Sequence, residues 1–205
     1  MLKILVVSCA AVAIAGCQGM SVGVGAGGMS GNVGGGVSTS VDLGGGPQTQ
    51  GRLVVSMFKI DANGIGAEIG TLSFSDSRKG LRIDAALGGL PPGDHGMHIH
   101  EAPDCGPGMK DGKPGAGIAA GGHFDPKATG RHMGPMGDGH RGDLPVLHVD
   151  GSGNAGGTEW VLRLGTSDVR GHAIVIHEGG DNFADQPKPL GGGGNRIACG
   201  VVSPQ

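Results

Sequence analysis

The sequence predicts an all-β domain, a sandwich or a barrel with two long functional loops, and three observations carry that expectation. From Gly51 onward, short apolar-rich segments alternate with Gly, Asp and Pro punctuation. One of them alternates strictly, with Leu81, Ile83, Ala85 and Leu87 on a single face. No stretch of a dozen residues keeps a 3.6-residue period, so helix content is low. Seven or eight short strands over about 150 residues suit a sandwich or barrel.

Taken in order, the chain starts with an address. Lys3 gives a short positive start, and Ile4 to Ile14 is an apolar run broken only by Ser8 and Cys9. The run is shorter than the ~20 residues a spanning helix needs and fits a signal peptide over 1–16. It ends in Ile14-Ala15-Gly16-Cys17, which resembles the lipobox of bacterial lipoproteins. Cys17 is then the lipidated first residue of the mature chain, and several acyl chains give stable membrane anchoring. Gln18, in place of the Asp that favours inner-membrane retention, points to the outer membrane. Residues 17–50 form the lipidated Cys and a flexible linker. From Gln18 to Gln50, twelve of 33 residues are Gly and Asp42 is the only charge, so ordering this segment costs much entropy and buries little. Residues 51–205 form the folded domain.

Within that domain the strand candidates are Arg52 to Ile60, Ala67 to Phe74, Leu81 to Leu87, Val146 to Val149, Thr158 to Leu164, Ala173 to His177 and Arg196 to Val202. Asp61-Ala62-Asn63-Gly64 and Asp150-Gly151-Ser152-Gly153 read as turns. Ala102 to Asp143 and Glu178 to Asn195 lack strand pattern, and loops of that length in a compact domain usually carry function.

Composition excludes several functions. Gly accounts for 47 of 205 residues without an every-third-residue period, so the chain is not collagen-like. Aromatics are 2%, which leaves no base-stacking surface. Net charge is −3, both overall and for residues 51–205, which argues against nucleic acid as a partner. The nine His and four Cys point toward metals.

On a strand, His98 and His100 face the same way, so both imidazoles can reach one ion. His123, His132 and His140 follow at spacings of nine and eight in the first long loop, with Asp143 three residues on. His177 ends a strand-like run. Imidazole suits copper and zinc, and a carboxylate among imidazoles is compatible with zinc. Seven such groups exceed what one tetrahedral site needs, which is consistent with two ions.

The stretches His95-Gly96-Met97-His98-Ile99-His100-Glu101, Gly121-Gly122-His123-Phe124-Asp125-Pro126, His140-Arg141-Gly142-Asp143-Leu144-Pro145 and His177-Glu178-Gly179-Gly180-Asp181-Asn182 resemble the bacterial periplasmic copper/zinc superoxide dismutases, lipoprotein form. So does Pro189 to Gly200. The resemblance runs from about Gly51 to Val202 and implies a Greek-key β-sandwich or flattened barrel. It implies copper on His98, His100, His123 and His177, and zinc on His123, His132, His140 and Asp143, one ion of each per chain, with His123 shared between them. It makes Asp181 the carboxylate joining a copper ligand to a zinc ligand, Arg196 the active-site arginine, and His95 a structural tie between loops. It pairs Cys105 with Cys199 in a disulfide, in keeping with an oxidising envelope. The activity it implies is dismutation of superoxide to oxygen and hydrogen peroxide, protecting the cell envelope, with Arg196 and His123 as the catalytic residues. Partners are then superoxide and, through Cys17, the membrane; the assembly is a monomer or a homodimer. Lys113 and Lys188 are candidates for attracting the anionic substrate. His148 and His172 match no ligand position and are expected to be exposed strand histidines. The alternative is a non-catalytic copper/zinc-binding envelope lipoprotein, which would need the histidines but neither Arg196 nor Asp181.

Overall fold

The computed structural model describes residues 51–205. The segments expected to be the signal peptide (1–16) and the lipidated Cys17 with its linker (17–50) lie outside the described residues. Eleven strands form: β1 (Leu53–Asp61), β2 (Gly64–Ser77), β3 (Gly80–Leu87), β4 (Gly93–His95), β5 (Met97–His100), β6 (Gly108–Lys110), β7 (Lys113–Gly115), β8 (Leu147–Val149), β9 (Ala155–Val161), β10 (Ala173–His177) and β11 (Arg196–Val201). Among the described residues the one α-helix, α1 (Thr166–Val169), is a single turn.

Seven strands make one antiparallel sheet in the order β5-β10-β11-β1-β2-β3-β9. The order is not a simple meander. β11 returns beside β1 and β10 beside β5, the long return connections of a Greek key. The sheet curls, because a single core gathers Val55, Leu72, Ile83 and Val161 from one side, Ile99 and Ile174 from the other, and Leu147 and Val149 from β8. In β1, Val55 and Met57 alternate inward, and a bulge after Met57 then turns Ile60 toward a second cluster. That cluster surrounds the Cys105–Cys199 disulfide with Ala120, Ala173 and Val175. The bridge spans 94 residues and fastens the first long loop to β11, directly across from Val175 of β10.

Three readings need correction. β9 begins at Ala155, not Thr158, and ends at Val161, because Gly156 and Gly157 pair with Ala86 and Ala85 of β3 despite their poor strand propensity. The loop from Ala102 to Asp143 is not strand-free: β6 and β7 form a hairpin turned by Asp111 (φ 52°) and Gly112 (φ 76°). His172 is not an exposed strand histidine. It precedes β10, is half-buried, and packs on Phe124 with ring centres 4.2 Å apart.

Candidate metal centre

β5 lies at the edge of the seven-stranded sheet, and the first long loop covers that edge. Ile99 donates its N–H to Gly142 O (2.9 Å), and Phe124 N–H donates back to Ile99 O (2.9 Å). One-residue bridges set His98 opposite Asp143 and His100 opposite His123. Backbone pairing thus brings strand-borne and loop-borne side chains to one spot. Gly142 makes this approach possible, since a Cβ there would run into Ile99 O and Phe124. Met97 and Ile99 point into the core while His98 and His100 point the other way. His177 reaches the same place from the end of β10, its N–H held by Gly96 O at 2.8 Å.

Two groups of ligand atoms result, each with all its atoms within 4.8 Å of one another: His98, His100, His123 and His177, and His98, His123, His132 and Asp143. His140 closes on the second group through Asp143. Asp143 Oδ1 lies 3.0 Å from His132 Nδ1, 3.3 Å from His123 Nδ1 and 3.4 Å from His140 Nδ1. A tetrahedral ion with bonds of about 2.0–2.2 Å separates its ligand atoms by about 3.3 Å. The three spacings bracket that edge length. Asp143 Oδ2 is occupied by the N–H groups of Met133 (3.0 Å) and Gly134 (3.1 Å), which leaves Oδ1 for the centre.

The ring nitrogens divide in the same way. His98 Nε2 is bound to Asp181 Oδ2 (2.8 Å), His132 Nε2 to Asp181 Oδ1 (2.8 Å), and His100 Nδ1 to Gly121 O (3.0 Å). His177 Nδ1 faces Gly194 O at 3.3 Å. The opposite nitrogens His98 Nδ1, His100 Nε2 and His177 Nε2 are buried without a hydrogen-bond partner, and His132 Nδ1 and His140 Nδ1 are buried facing only Asp143 Oδ1. Buried polar atoms are rarely left so. One nitrogen tied by a carboxylate or carbonyl and the other left free is how metal-binding imidazoles are oriented. The residues present fit two ions.

Electrostatics sort the rings further. Burial lowers His123 to about 4 and His177 to about 2, and it holds His98 and His100 below the usual imidazole range. His132 moves the other way: burial pulls it down, but its contacts with Asp143 and Asp181 outweigh this and raise it to about 9. Burial pushes both carboxyls up, yet their imidazole partners keep Asp143 and Asp181 below the ordinary carboxylate range.

Asp181 can span His98 and His132 only because position 191 is glycine. Gly191 has φ +70°, and a Cβ there would overlap Asp181 Oδ1 and crowd His132 Nε2. Arg196 sits across the strand pair from His177. Its guanidinium donates to Gly117 O and to Gly121 O (2.6 Å), the same carbonyl that His100 Nδ1 bonds. His95 faces His177 O (2.7 Å) and Pro91 O (2.8 Å) through its two ring nitrogens and is no part of the cluster. Lys113 lines one cavity with Arg196, while Lys188 lines another beside Asp181 and Gly191. His148 is exposed on β8 and pairs with Asp94 (2.8 Å).

Sequence reasoning missed four contributors. Asp185 accepts the N–H of His132 (2.9 Å). His172 Nδ1 bonds His100 O (3.0 Å) and Glu101 O (2.9 Å). Gly191, beside Asp181 and His132, and Arg163, which donates to the carbonyls of His140 (2.8 Å) and Asp143 (3.4 Å), complete the set. None of the four has a motif of its own; each acts through a fold-dependent approach to a ligand.

A family model described as copper/zinc superoxide dismutase (SODC) matches residues 68–202. The chain belongs to the copper/zinc superoxide dismutase family. Within that family it is 52% identical over 149 residues to "Superoxide dismutase [Cu-Zn] 2" of Salmonella typhimurium, covering 72% of this chain and 86% of that protein. The copper/zinc superoxide dismutase from Brucella abortus superposes with a TM-score of 0.73 at 44% identity, covering 75% of this chain and all of the other. The monomeric copper, zinc superoxide dismutase from Salmonella enterica does so with a TM-score of 0.67 at 49% identity, with the same coverage.

Proposed function

We propose that this protein dismutes superoxide to oxygen and hydrogen peroxide at a copper and a zinc joined by His123. The observation that carries this reading is the convergence of unpartnered imidazole nitrogens on two adjoining points, with Asp143 Oδ1 at tetrahedral-edge distances from three of the rings. Copper would be held by His98, His100, His123 and His177, and zinc by His123, His132, His140 and Asp143. When bound, copper supplies one-electron exchange with superoxide and zinc supplies a fixed positive charge.

The chain's own residues do the rest. His123 turns Nδ1 to Asp143 Oδ1 (3.3 Å), which leaves Nε2 as the atom that would take up and return a proton. Its depressed pKa keeps the metal-free ring neutral and ready to ligate at neutral pH. Arg196 offers an anionic diatomic a charge that does not vary over physiological pH and donors not consumed by Gly117 and Gly121. Lys113, in the same cavity, adds local positive potential above a net-negative domain, and Lys188 lines a second cavity beside Asp181. All candidate ligands come from one chain, so a monomer is complete. Arg196 and Asp181 favour the enzyme over the metal-carrier alternative. Purified protein loaded with one equivalent of each metal should accelerate superoxide decay, and metal-free protein should not. Full metal loading without acceleration would restore the carrier reading.

We also read residues 1–16 as a signal peptide, Cys17 as the lipidated residue, 17–50 as a tether, and the periplasm as the protein's place, lipid-anchored, with Gln18 favouring the outer membrane over the inner. Among the described residues no helix is long and apolar enough to cross a membrane. The Ile14-Ala15-Gly16-Cys17 sequence supports lipid anchoring. Cys17→Ser should release an active, water-soluble form; an unchanged membrane-bound form would refute the anchor.

A further inference from the structure

Arg163 follows β9 by two residues and is half-buried under the loop that carries His132, His140 and Asp143. Its Nε donates to Pro135 O at 2.7 Å. Its Nη2 lies 2.8 Å from His140 O, 3.3 Å from Gly134 O and 3.4 Å from Asp143 O. All four partners are backbone carbonyls. Two belong to the start of the loop segment, just after His132, and two belong to zinc-ligand residues at its end. A planar guanidinium can gather carbonyls from several directions at once, which no neutral side chain of this size can do. The same corner is fastened a second time by Arg141, which lines one cavity with Arg163 and makes a bidentate pair with Asp168 of α1 (2.6 and 3.0 Å).

We propose that Arg163 is the positioning residue for zinc: it draws both ends of the loop onto one cation and so holds Asp143 and His140 in the ligating array before the metal arrives. The inference rests on the assignment of zinc to His123, His132, His140 and Asp143. The chain of contacts is continuous. Gly134, whose carbonyl Arg163 holds, donates its own N–H to Asp143 Oδ2, and that bond turns Oδ1 toward the three imidazoles. Copper's candidate ligands His98, His100 and His177 sit on β5 and β10 and receive nothing from Arg163.

Charge and position predict opposite outcomes, which makes the proposal decidable. Arg163 and zinc are both cations, so if charge alone mattered, neutralising Arg163 would tighten zinc. If positioning matters, neutralising it weakens zinc, because the loop opens. The measurement is competition of the full folded protein against a chelator, with zinc and copper dissociation constants read separately, and the visible spectrum of Co(II) substituted for zinc as a report on site geometry. Arg163→Met should raise the zinc dissociation constant by about 10–100-fold, the usual effect of losing an outer contact, and distort the Co(II) spectrum, with copper changed less than about threefold. Arg163→Lys, which keeps the charge but has three donors on a flexible stem, should fall between Met and wild type. Unchanged or tighter zinc in Arg163→Met overturns the proposal, as does equal weakening of both metals, which would mark Arg163 as general scaffold. Should the Met variant fail to fold, the Lys variant decides by the same criterion. Asp143→Ala is the reference: if it retains zinc like the wild type, the zinc assignment falls and the proposal with it, whereas loss of zinc there with no effect at Arg163 refutes the proposal alone.

Discussion

Replacing Asp181 with Ala removes one carboxylate from three hydrogen bonds: His132 Nε2 (2.8 Å), His98 Nε2 (2.8 Å) and the N–H of Phe183 (2.7 Å). The side chains of Asp181, His98 and His132 are fully buried, so solvent does not screen the two imidazole contacts. Hydrogen bonds to a charged partner contribute roughly 1.5–3 kcal/mol each. Loss of an outer contact typically weakens a metal by about 10–100-fold, or about 1.4–2.7 kcal/mol. The two rings do not depend on Asp181 equally. His98 is in β5, whose register against Val175 of β10 fixes its Cα and limits its rotamers. His132 is in irregular loop, tied otherwise by its backbone N–H to Asp185. The zinc dissociation constant should therefore rise through most of that range, while copper weakens by less than about tenfold. Chelator competition followed by elemental analysis of the retained metal reads both. Copper lost before zinc, or both lost equally, would refute the reasoning from strand-borne and loop-borne ligands.

Because His132 is raised to about 9 in the metal-free protein while His123 and His177 fall to about 4 and 2, zinc must displace a proton at neutral pH and copper need not. Apparent zinc affinity should rise by up to about tenfold per pH unit toward pH 9 while copper affinity stays nearly flat, and a pH series of competition titrations checks this. The sign for folding is the reverse: a raised His132 stabilises the metal-free fold fully below about 6.5, and that contribution is lost as pH rises through about 9. Arg196→Ala should keep both metals and the fold but slow superoxide decay, with Arg196→Lys slowed less; added salt should slow the wild type more than the Ala variant. Stopped-flow decay at several salt concentrations measures it.

Much of this molecule was legible from residue pattern alone. Strict alternation at Leu81–Leu87 marked β3, and Ala173 to His177 marked β10 with its own bounds. The i, i+2 pair His98 and His100 placed two imidazoles on one face of a strand. Other features were not local. Ala155 to Gly157 is strand because β3 lies beside it, and no propensity encodes that. The β6–β7 hairpin had a signal in Asp111-Gly112, but the surrounding Gly and Pro masked it. His172 reads as a bare histidine until the fold lays it on Phe124 and against the His100 carbonyl. Arg163 reads as a surface cation, and its meaning depends on a loop that returns to it from more than twenty residues earlier. Gly191, one glycine in a run of four, is singled out only by where Asp181 lies.

In the proposed centre His123 stands between two different metals. Crystals of the copper- and zinc-loaded protein, with anomalous data collected on either side of each metal's absorption edge, test this most directly. The expected result is one copper peak among His98, His100, His123 and His177 and one zinc peak among His123, His132, His140 and Asp143, with the His123 ring between them. A single peak, the same metal at both points, or two peaks without His123 between them would contradict it.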